Sequence, residues 1–137
     1  MQKVSHELQV AVMRLARRLR AERADHGLTL SQLSVLTGLQ RHGSMTPGEL
    51  AAHERVRPPS MTRTVAALVD LGLIERAPHP DDGRQVLLTL NEQGQVLLAA
   101  DRAQREAWLA RQLKELSVGD RRTLADAAVI MDRLVGL

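Results

Sequence analysis

The sequence contains no cysteine, no phenylalanine and no tyrosine, and it has a single tryptophan among 137 residues. Without cysteine the chain can form neither a disulfide nor a thiolate metal site, and it cannot sense oxidants through a thiol. The shortage of aromatic rings makes single-stranded nucleic acid a poor ligand, because proteins bind such strands by stacking bases on aromatic side chains. The core must be aliphatic, and a hydrophobic content of 44% is enough to build one.

A long apolar run is also missing. No stretch approaches the roughly 20 residues that a membrane-spanning helix needs. Residues 1–28 form an amphipathic, arginine-studded segment without the apolar core and cleavage site of a secretory signal. We therefore expect a soluble, cytoplasmic protein without a membrane partner.

The positive charge is not spread along the chain. The net charge is +3, but residues 29–90 carry six basic and six acidic side chains and residues 91–137 carry seven of each. The excess lies in residues 1–28, with six basic against three acidic side chains. Bulk basicity is therefore a weak argument for nucleic-acid binding, which must be judged from where individual arginines lie.

Motifs of catalysis and metal binding are absent as well. The chain has no glycine-rich phosphate loop, no H-E-x-x-H and no nucleophile motif, so we expect neither an enzyme nor a cofactor. The five histidines lack metal-ligand spacing, and the nearest cluster is His79 with Asp81 and Asp82. These three residues are more readily interpreted as turn formers than as metal ligands.

Local signals predict two helices in the first third of the chain. Apolar residues at three- and four-residue spacing indicate an amphipathic helix over about residues 4–23, which His26–Gly27 should end because glycine suits a left-handed C-cap. A capping box of Thr29 and Gln32 predicts a second helix that His42–Gly43 closes.

The middle third predicts a helix-turn-helix. The stretch Thr46-Pro47-Gly48-Glu49 combines an N-cap, a proline at the first position and an acid at the third, and it starts a short helix over residues 47–53. After a turn, Pro58–Pro59 must open a fourth helix, because two prolines are tolerated only in its first turn. Gly72 should stop that helix.

A hairpin and two long helices complete the prediction. Residues 73–77 and 85–90 are short β-rich runs separated by turn formers over residues 78–84. Asn91 can cap a fifth helix that reaches about Leu116, and a last helix follows. The predicted fold class is mainly α with a small β-hairpin wing (α+β).

This order of elements is that of a winged helix-turn-helix. We predict a DNA-binding region over residues 29–90 and a helical dimerisation region formed by residues 1–28 and 91–137. The flanking helices carry more apolar positions than a monomer of this length needs, and an obligate interface resembles a core cut in half.

The outer face of the fourth helix carries the candidate contacts to double-stranded DNA, since the second helix of such a motif lies in the major groove. Arg63 is placed for a bidentate guanine contact and Arg57 for a phosphate. Arg84, oriented by Asp82 at the hairpin tip, is placed for the minor groove. The DNA-binding set is Arg57, Pro59, Ser60, Thr62, Arg63 and Arg84.

The stretch PGELAAHERVRPPSMTRTVAALVDLGLIER, followed by DDGR and a strand into LNEQG, resembles the MarR family of bacterial transcriptional regulators. The resemblance covers nearly the whole chain and includes the family's Asp-x-Arg wing motif at Asp82 and Arg84. One departure is Asn91 where the family usually has threonine.

This resemblance implies a homodimer whose terminal helices intertwine and hold two winged units on a pseudo-palindromic operator. It also implies a repressor, of a kind often released by small phenolic or lipophilic ligands bound between the dimer helices and the winged unit. Two alternatives stay open: a winged-helix module that binds a protein, and a metal-responsive regulator.

Overall fold

Six helices and one antiparallel β-hairpin make up the structure, a computed structural model that describes all 137 residues. In chain order the elements are α1 (Gln2–Ala21), α2 (Leu30–His42), α3 (Pro47–Glu54), α4 (Pro58–Asp70), β1 (Ile74–Pro78), β2 (Val86–Leu90), α5 (Glu92–Lys114) and α6 (Val118–Leu134). The predicted fold class is confirmed. No helix has the combined length and hydropathy of a transmembrane span.

The chain divides into two units. The winged unit is Ala24–Arg102 and contains α2, α3, α4, the hairpin and the first part of α5. The helical unit is Met1–Arg23 together with Ala103–Leu137. The first turns of α5 therefore belong with the winged elements, beyond the boundary at residue 90 that the sequence suggested.

Side-chain caps start the helices where the sequence predicted. Thr29 Oγ1 accepts the Gln32 amide at 3.1 Å while Gln32 Oε1 accepts the Thr29 amide at 2.9 Å, which completes the capping box. Thr46 Oγ1 accepts the Glu49 amide at the start of α3. These bonds satisfy amides that a helix leaves without intrahelical partners, so each helix begins at a defined residue.

The end of α1 differs from the prediction. The helix stops at Ala21, and Glu22 is already extended with φ −85° and ψ 93°. Asp101 Oδ1 accepts the Ala24 amide at 2.8 Å, which draws the chain away from the helical path. Gly27 does have a left-handed φ of +69°, but it lies in the connection to α2 and does not cap α1.

The hairpin is in register from Ile74 opposite Leu90 to Pro78 opposite Val86. Both strands start one residue later than predicted. The Leu73 amide bonds the Leu68 carbonyl at 3.1 Å, so Leu73 completes the turn after α4. Its carbonyl accepts the Asn91 amide at 3.2 Å, beyond the paired residues of the hairpin.

The core of the winged unit is aliphatic, as the composition required. Its fully buried side chains include one residue from each element around it: Leu36, Leu50, Leu68, Ile74 and Leu88 from α2, α3, α4, β1 and β2. The packing of these elements holds α4 and the hairpin on the same unit.

The helical unit buries far less. Neither α1 nor α6 has a buried residue. The predicted apolar stripe of α1, which includes Val4, Leu8, Val12 and Leu15, is between 41% and 60% exposed at these four positions. In α5 Leu98 is buried, whereas Leu116, the predicted end of this helix, lies two residues beyond its last residue and is exposed.

Candidate nucleic-acid interface

The buried side of α4 fixes which of its faces meets solvent. Met61, Val65 and Leu68 are 2%, 3% and 0% exposed and hold the helix against the core. The opposite side carries the predicted candidates Pro59, Ser60, Thr62 and Arg63, and all four are exposed. A helix rotates by 100° per residue, so these positions form one small, polar surface.

The first turn of α4 has few backbone amides that are free to donate a hydrogen bond. Arg57 is the N-cap, is exposed and makes no side-chain cap bond. Pro58 and Pro59 have no amide hydrogen, and the Met61 amide bonds the Arg57 carbonyl at 3.1 Å. Ser60 is therefore the one residue in this first turn that can present an amide to a phosphate.

The hydroxyl of Thr62 already donates one hydrogen bond within the helix. Its Oγ1 donates to the Pro58 carbonyl at 3.0 Å, so the same oxygen can still accept a hydrogen bond from outside the protein. Arg63 and Arg57 form no ion pair with an acidic side chain. Their guanidinium groups are available to an anionic partner.

The tip of the hairpin positions one arginine. Asp82 Oδ1 accepts both the Arg84 amide at 3.1 Å and the Arg84 Nε at 3.3 Å. The Arg84 side chain is 93% exposed, and it contacts this carboxylate through Nε and not through its two terminal nitrogens. His79 Nδ1 accepts the Asp81 and Asp82 amides at 3.1 and 3.3 Å, so His79 is a turn former.

The structure joins some of the predicted residues and keeps others apart. Asp82 and Arg84 contact each other. The predicted residues of α4 that share its exposed face are Pro59, Ser60, Thr62 and Arg63. No hydrogen bond or ion pair links the wing pair to α4. The two groups are separate parts of the winged unit.

Several structurally important residues were not identified from the sequence. Arg55 adopts a left-handed φ of 56° between α3 and α4, where its exposed side chain adds a third arginine to this end of the motif. The rings of His42 and His53 meet at 4.6 Å although the sequence separates them. No group of three or more His, Cys, Asp or Glu side chains is arranged to hold a metal ion.

The buried Asp101 was also not identified from the sequence, although its position in the helical pattern of α5 could have indicated it. It lies three residues after Leu98, on the side of α5 that packs inward, where an unpaired acid would be costly. Such a position calls for a partner, and that partner is His26, with Nε2 3.0 Å from Asp101 Oδ2.

Comparison with known proteins supports this interpretation of the winged unit. The model of the MarR family matches residues 28–86. An HTH-type transcriptional regulator of Mycobacterium bovis is 50% identical over 133 residues, which cover 97% of this chain and 93% of the relative. The HTH-type transcriptional repressor MdtR of Bacillus subtilis is 30% identical over 115 residues, or 81% of this chain and 74% of that protein.

A solved structure agrees with the sequence relatives. The crystal structure of a transcriptional regulator protein from Pseudomonas aeruginosa superposes with a TM-score of 0.83 at 36% identity, covering 98% of this chain and 96% of the other. These relatives are named as transcriptional regulators and not as enzymes. With half of its residues identical to one regulator along nearly the full length of both, this chain belongs to the MarR family of winged helix-turn-helix, DNA-binding transcriptional regulators.

Proposed function

We propose that the protein is a sequence-specific repressor that binds double-stranded DNA in the cytoplasm as a homodimer. The observation that carries the proposal is the outer face of the first two turns of α4, which is small, polar and free of acidic side chains opposite a buried inner side. The one acid of α4, Asp70, is the last residue of the helix. A protein-docking helix would be expected to present acidic or large apolar groups there.

Within the major groove, we assign base contacts to Ser60, Thr62 and Arg63. Arg63 can donate two parallel bonds to a guanine, a contact worth about 1–3 kcal/mol of discrimination. The Thr62 hydroxyl can accept from an exocyclic amine, because its own proton is engaged by Pro58. Pro59 allows close approach, and Arg57 with the Ser60 amide suits a phosphate.

The wing is assigned to the minor groove. Asp82 holds the Arg84 Nε and leaves the terminal nitrogens for DNA, so the side chain is oriented before binding. Narrow A·T-rich minor grooves concentrate negative potential and attract such an arginine. We therefore expect an A·T preference at the position that Arg84 enters.

The homodimer is supported by the exposed apolar stripe of α1, which one chain leaves uncovered. Residues 1–28 and 91–137 would then set the spacing of two winged units, with half-sites roughly 10 base pairs apart. The repressor role is supported by the name of the relative MdtR. Release by a small phenolic or lipophilic effector is part of the same proposal and rests on the family resemblance alone.

The test is binding to the DNA upstream of the protein's own gene, measured by gel shift and footprinting. We expect a protected, pseudo-palindromic site. Arg63→Ala and Arg84→Ala should each weaken binding by about 1–3 kcal/mol, because each removes a charged contact to a base or groove. Arg122→Ala, an exposed arginine on α6, is the matched control and should bind like the wild type.

Affinity should also fall steeply as salt increases, since the arginines displace counterions from phosphates. Equal binding to unrelated sequences, or variants at Arg63 and Arg84 that match the control, would refute the assignment. An interaction that does not depend on salt would favour the protein-binding alternative.

A further inference from the structure

A pocket of about 300 Å³ opens beside α4, between the start of α2 and the turn that follows α3. Its size is at the lower end of the range for small-molecule sites. Leu30 and Val35 of α2, Val56 of the turn and Met61 of α4 provide apolar walls. All of these residues belong to the winged unit, so the pocket is complete within it.

A single ionisable group lines this pocket, the carboxylate of Glu54. Its side chain is 15% exposed, and Oε2 accepts the Ser34 hydroxyl at 2.7 Å. The nearest basic group is the His53 ring, whose Nδ1 is 3.4 Å from Oε1, at the long end of hydrogen bonding. Neither lysine nor arginine neutralises the acid.

This combination selects the charge of a ligand. A carboxylate that is largely removed from water, among apolar walls, attracts a cation more strongly than it would at an open surface. The same group repels phenolates and carboxylates. The hydroxyl groups of Ser31, Ser60 and Thr64 line the rest of the pocket and can accept further bonds from an ammonium or amidinium group.

We propose that this pocket binds a small lipophilic cation, with its charged group at Glu54 and its apolar part against Val35, Val56 and Met61. The site lies inside the winged unit and takes a ligand of opposite charge to a phenolate effector. Binding itself does not depend on the proposed DNA-binding function.

Occupation of the pocket should be coupled to DNA binding, and this step does rest on the proposed function. Ser60 and Thr64 line the pocket from α4, and Thr64 Oγ1 bonds the Ser60 carbonyl at 3.1 Å. A ligand against Ser60 competes with its contact to DNA. Linkage requires that ligand and operator then weaken each other by the same factor.

The first experiment compares three probes that share a ring and differ in charge: benzylamine, benzyl alcohol and benzoate. Binding to the full chain is followed by amide chemical shifts in the absence of DNA. We expect benzylamine to bind most tightly and benzoate least, with the largest shifts at Ser34, Val56 and Ser60. Equal affinities, or shifts elsewhere, would overturn the proposal.

Single substitutions test whether the Glu54 carboxylate is the group that binds the ammonium of benzylamine. Glu54→Gln keeps the bond to Ser34 and should weaken benzylamine binding by about tenfold or more, the loss expected for a charge-assisted bond, while leaving benzyl alcohol unaffected. Glu49→Gln, on the same helix but outside the pocket, is the matched control and should behave like the wild type. Wild-type affinity of Glu54→Gln for benzylamine would refute the site.

A second variant guards against a folding defect. Thr64→Leu fills the pocket from α4 and should abolish binding of both benzylamine and benzyl alcohol, with helical circular dichroism preserved. If it still binds both probes, the pocket is not the site. Adding benzylamine to the gel shift then tests the coupling separately: operator binding should weaken, and operator binding that benzylamine leaves unchanged would overturn the coupling. Absence of operator binding without any probe would count against the proposed function instead, whereas the probe titrations stand without DNA.

Discussion

Gly94 lies where the first turn of α5 passes close to the backbone of Leu73, in the segment that follows α4. A Cβ built at this position would be 2.5 Å from the Leu73 carbonyl oxygen and would overlap Leu90 Cδ1. Asn91 draws the chain into this crossing, since its Nδ2 donates to the Gly72 carbonyl at 2.7 Å and its Oδ1 accepts the Gly94 amide at 2.9 Å. The LNEQG motif therefore has a steric reason for its glycine.

Gly94→Ala should destabilise the protein by about 1–3 kcal/mol, because backbone at Leu73 cannot yield as a flexible side chain can. Urea unfolding at fixed protein concentration measures the change. Gly119→Ala is the matched control on α6, where the nearest atom to the new methyl is Ser117 Oγ at 3.8 Å. That variant should gain up to about 1 kcal/mol from helix propensity. Equal stability of the two variants would contradict the steric argument.

At the scale of elements, one buried pair ties the α1–α2 connection to α5. Asp101 is fully buried, and its two oxygens accept from the Ala24 amide and from His26 Nε2. His26 Nδ1 accepts the Leu28 amide at 3.1 Å, so the ring proton must be on Nε2.

Asp101→Asn should cost about 1–3 kcal/mol of stability despite its near-identical shape. With the asparagine oxygen kept on the Ala24 amide, its NH2 group would face the proton on His26 Nε2. If that proton moved to Nδ1, it would face the Leu28 amide, which is also a donor. One donor therefore stays unsatisfied in either tautomer. Urea unfolding measures the loss, and Asp126→Asn on the exposed face of α6 should stay within about 0.5 kcal/mol of the wild type. A stable Asp101→Asn with an unchanged His26 environment by NMR would contradict this geometry.

The elements themselves follow from short-range chemistry, which explains why their starts were predictable. The caps at Thr29 and Thr46 and the double proline at Pro58 act within four residues, so the sequence displays them directly. The contact of Asp82 with Arg84 is equally local. The end of α1 was mispredicted because it depends on Asp101, more than 70 positions away along the chain. No periodicity or propensity reports such a pairing.

The candidate site divides in the same way. The exposed face of α4 could be predicted, because helical rotation and the buried stripe determine it together. The pocket at Glu54 could not, since it needs α2, the turn and α4 to be placed against each other.

At the scale of the whole molecule, the helical unit is the part whose apolar side chains a single chain does not bury. Within it Trp108 is half-buried and the Arg18 guanidinium stacks 5.0 Å from its ring centre. The stripe of α1 and several apolar residues of α6 stay exposed, among them Leu124, Ile130 and Leu134. Large exposed apolar surfaces of this kind mark interaction sites, and in the proposed homodimer a second copy of the chain covers them.

The double variant Leu8→Glu with Val12→Glu should convert the dimer into a monomer, because it buries two carboxylates in an apolar interface. Gel filtration with light scattering measures the state. Gln2→Glu with Gln9→Glu adds the same charge on the polar side of α1 and should remain dimeric. The monomer should also bind the operator about 100-fold more weakly or worse, since each winged unit loses the effective concentration that a linked partner provides. Dimeric behaviour of the first variant would place the interface elsewhere, and a monomer with full operator affinity would mean that one winged unit suffices.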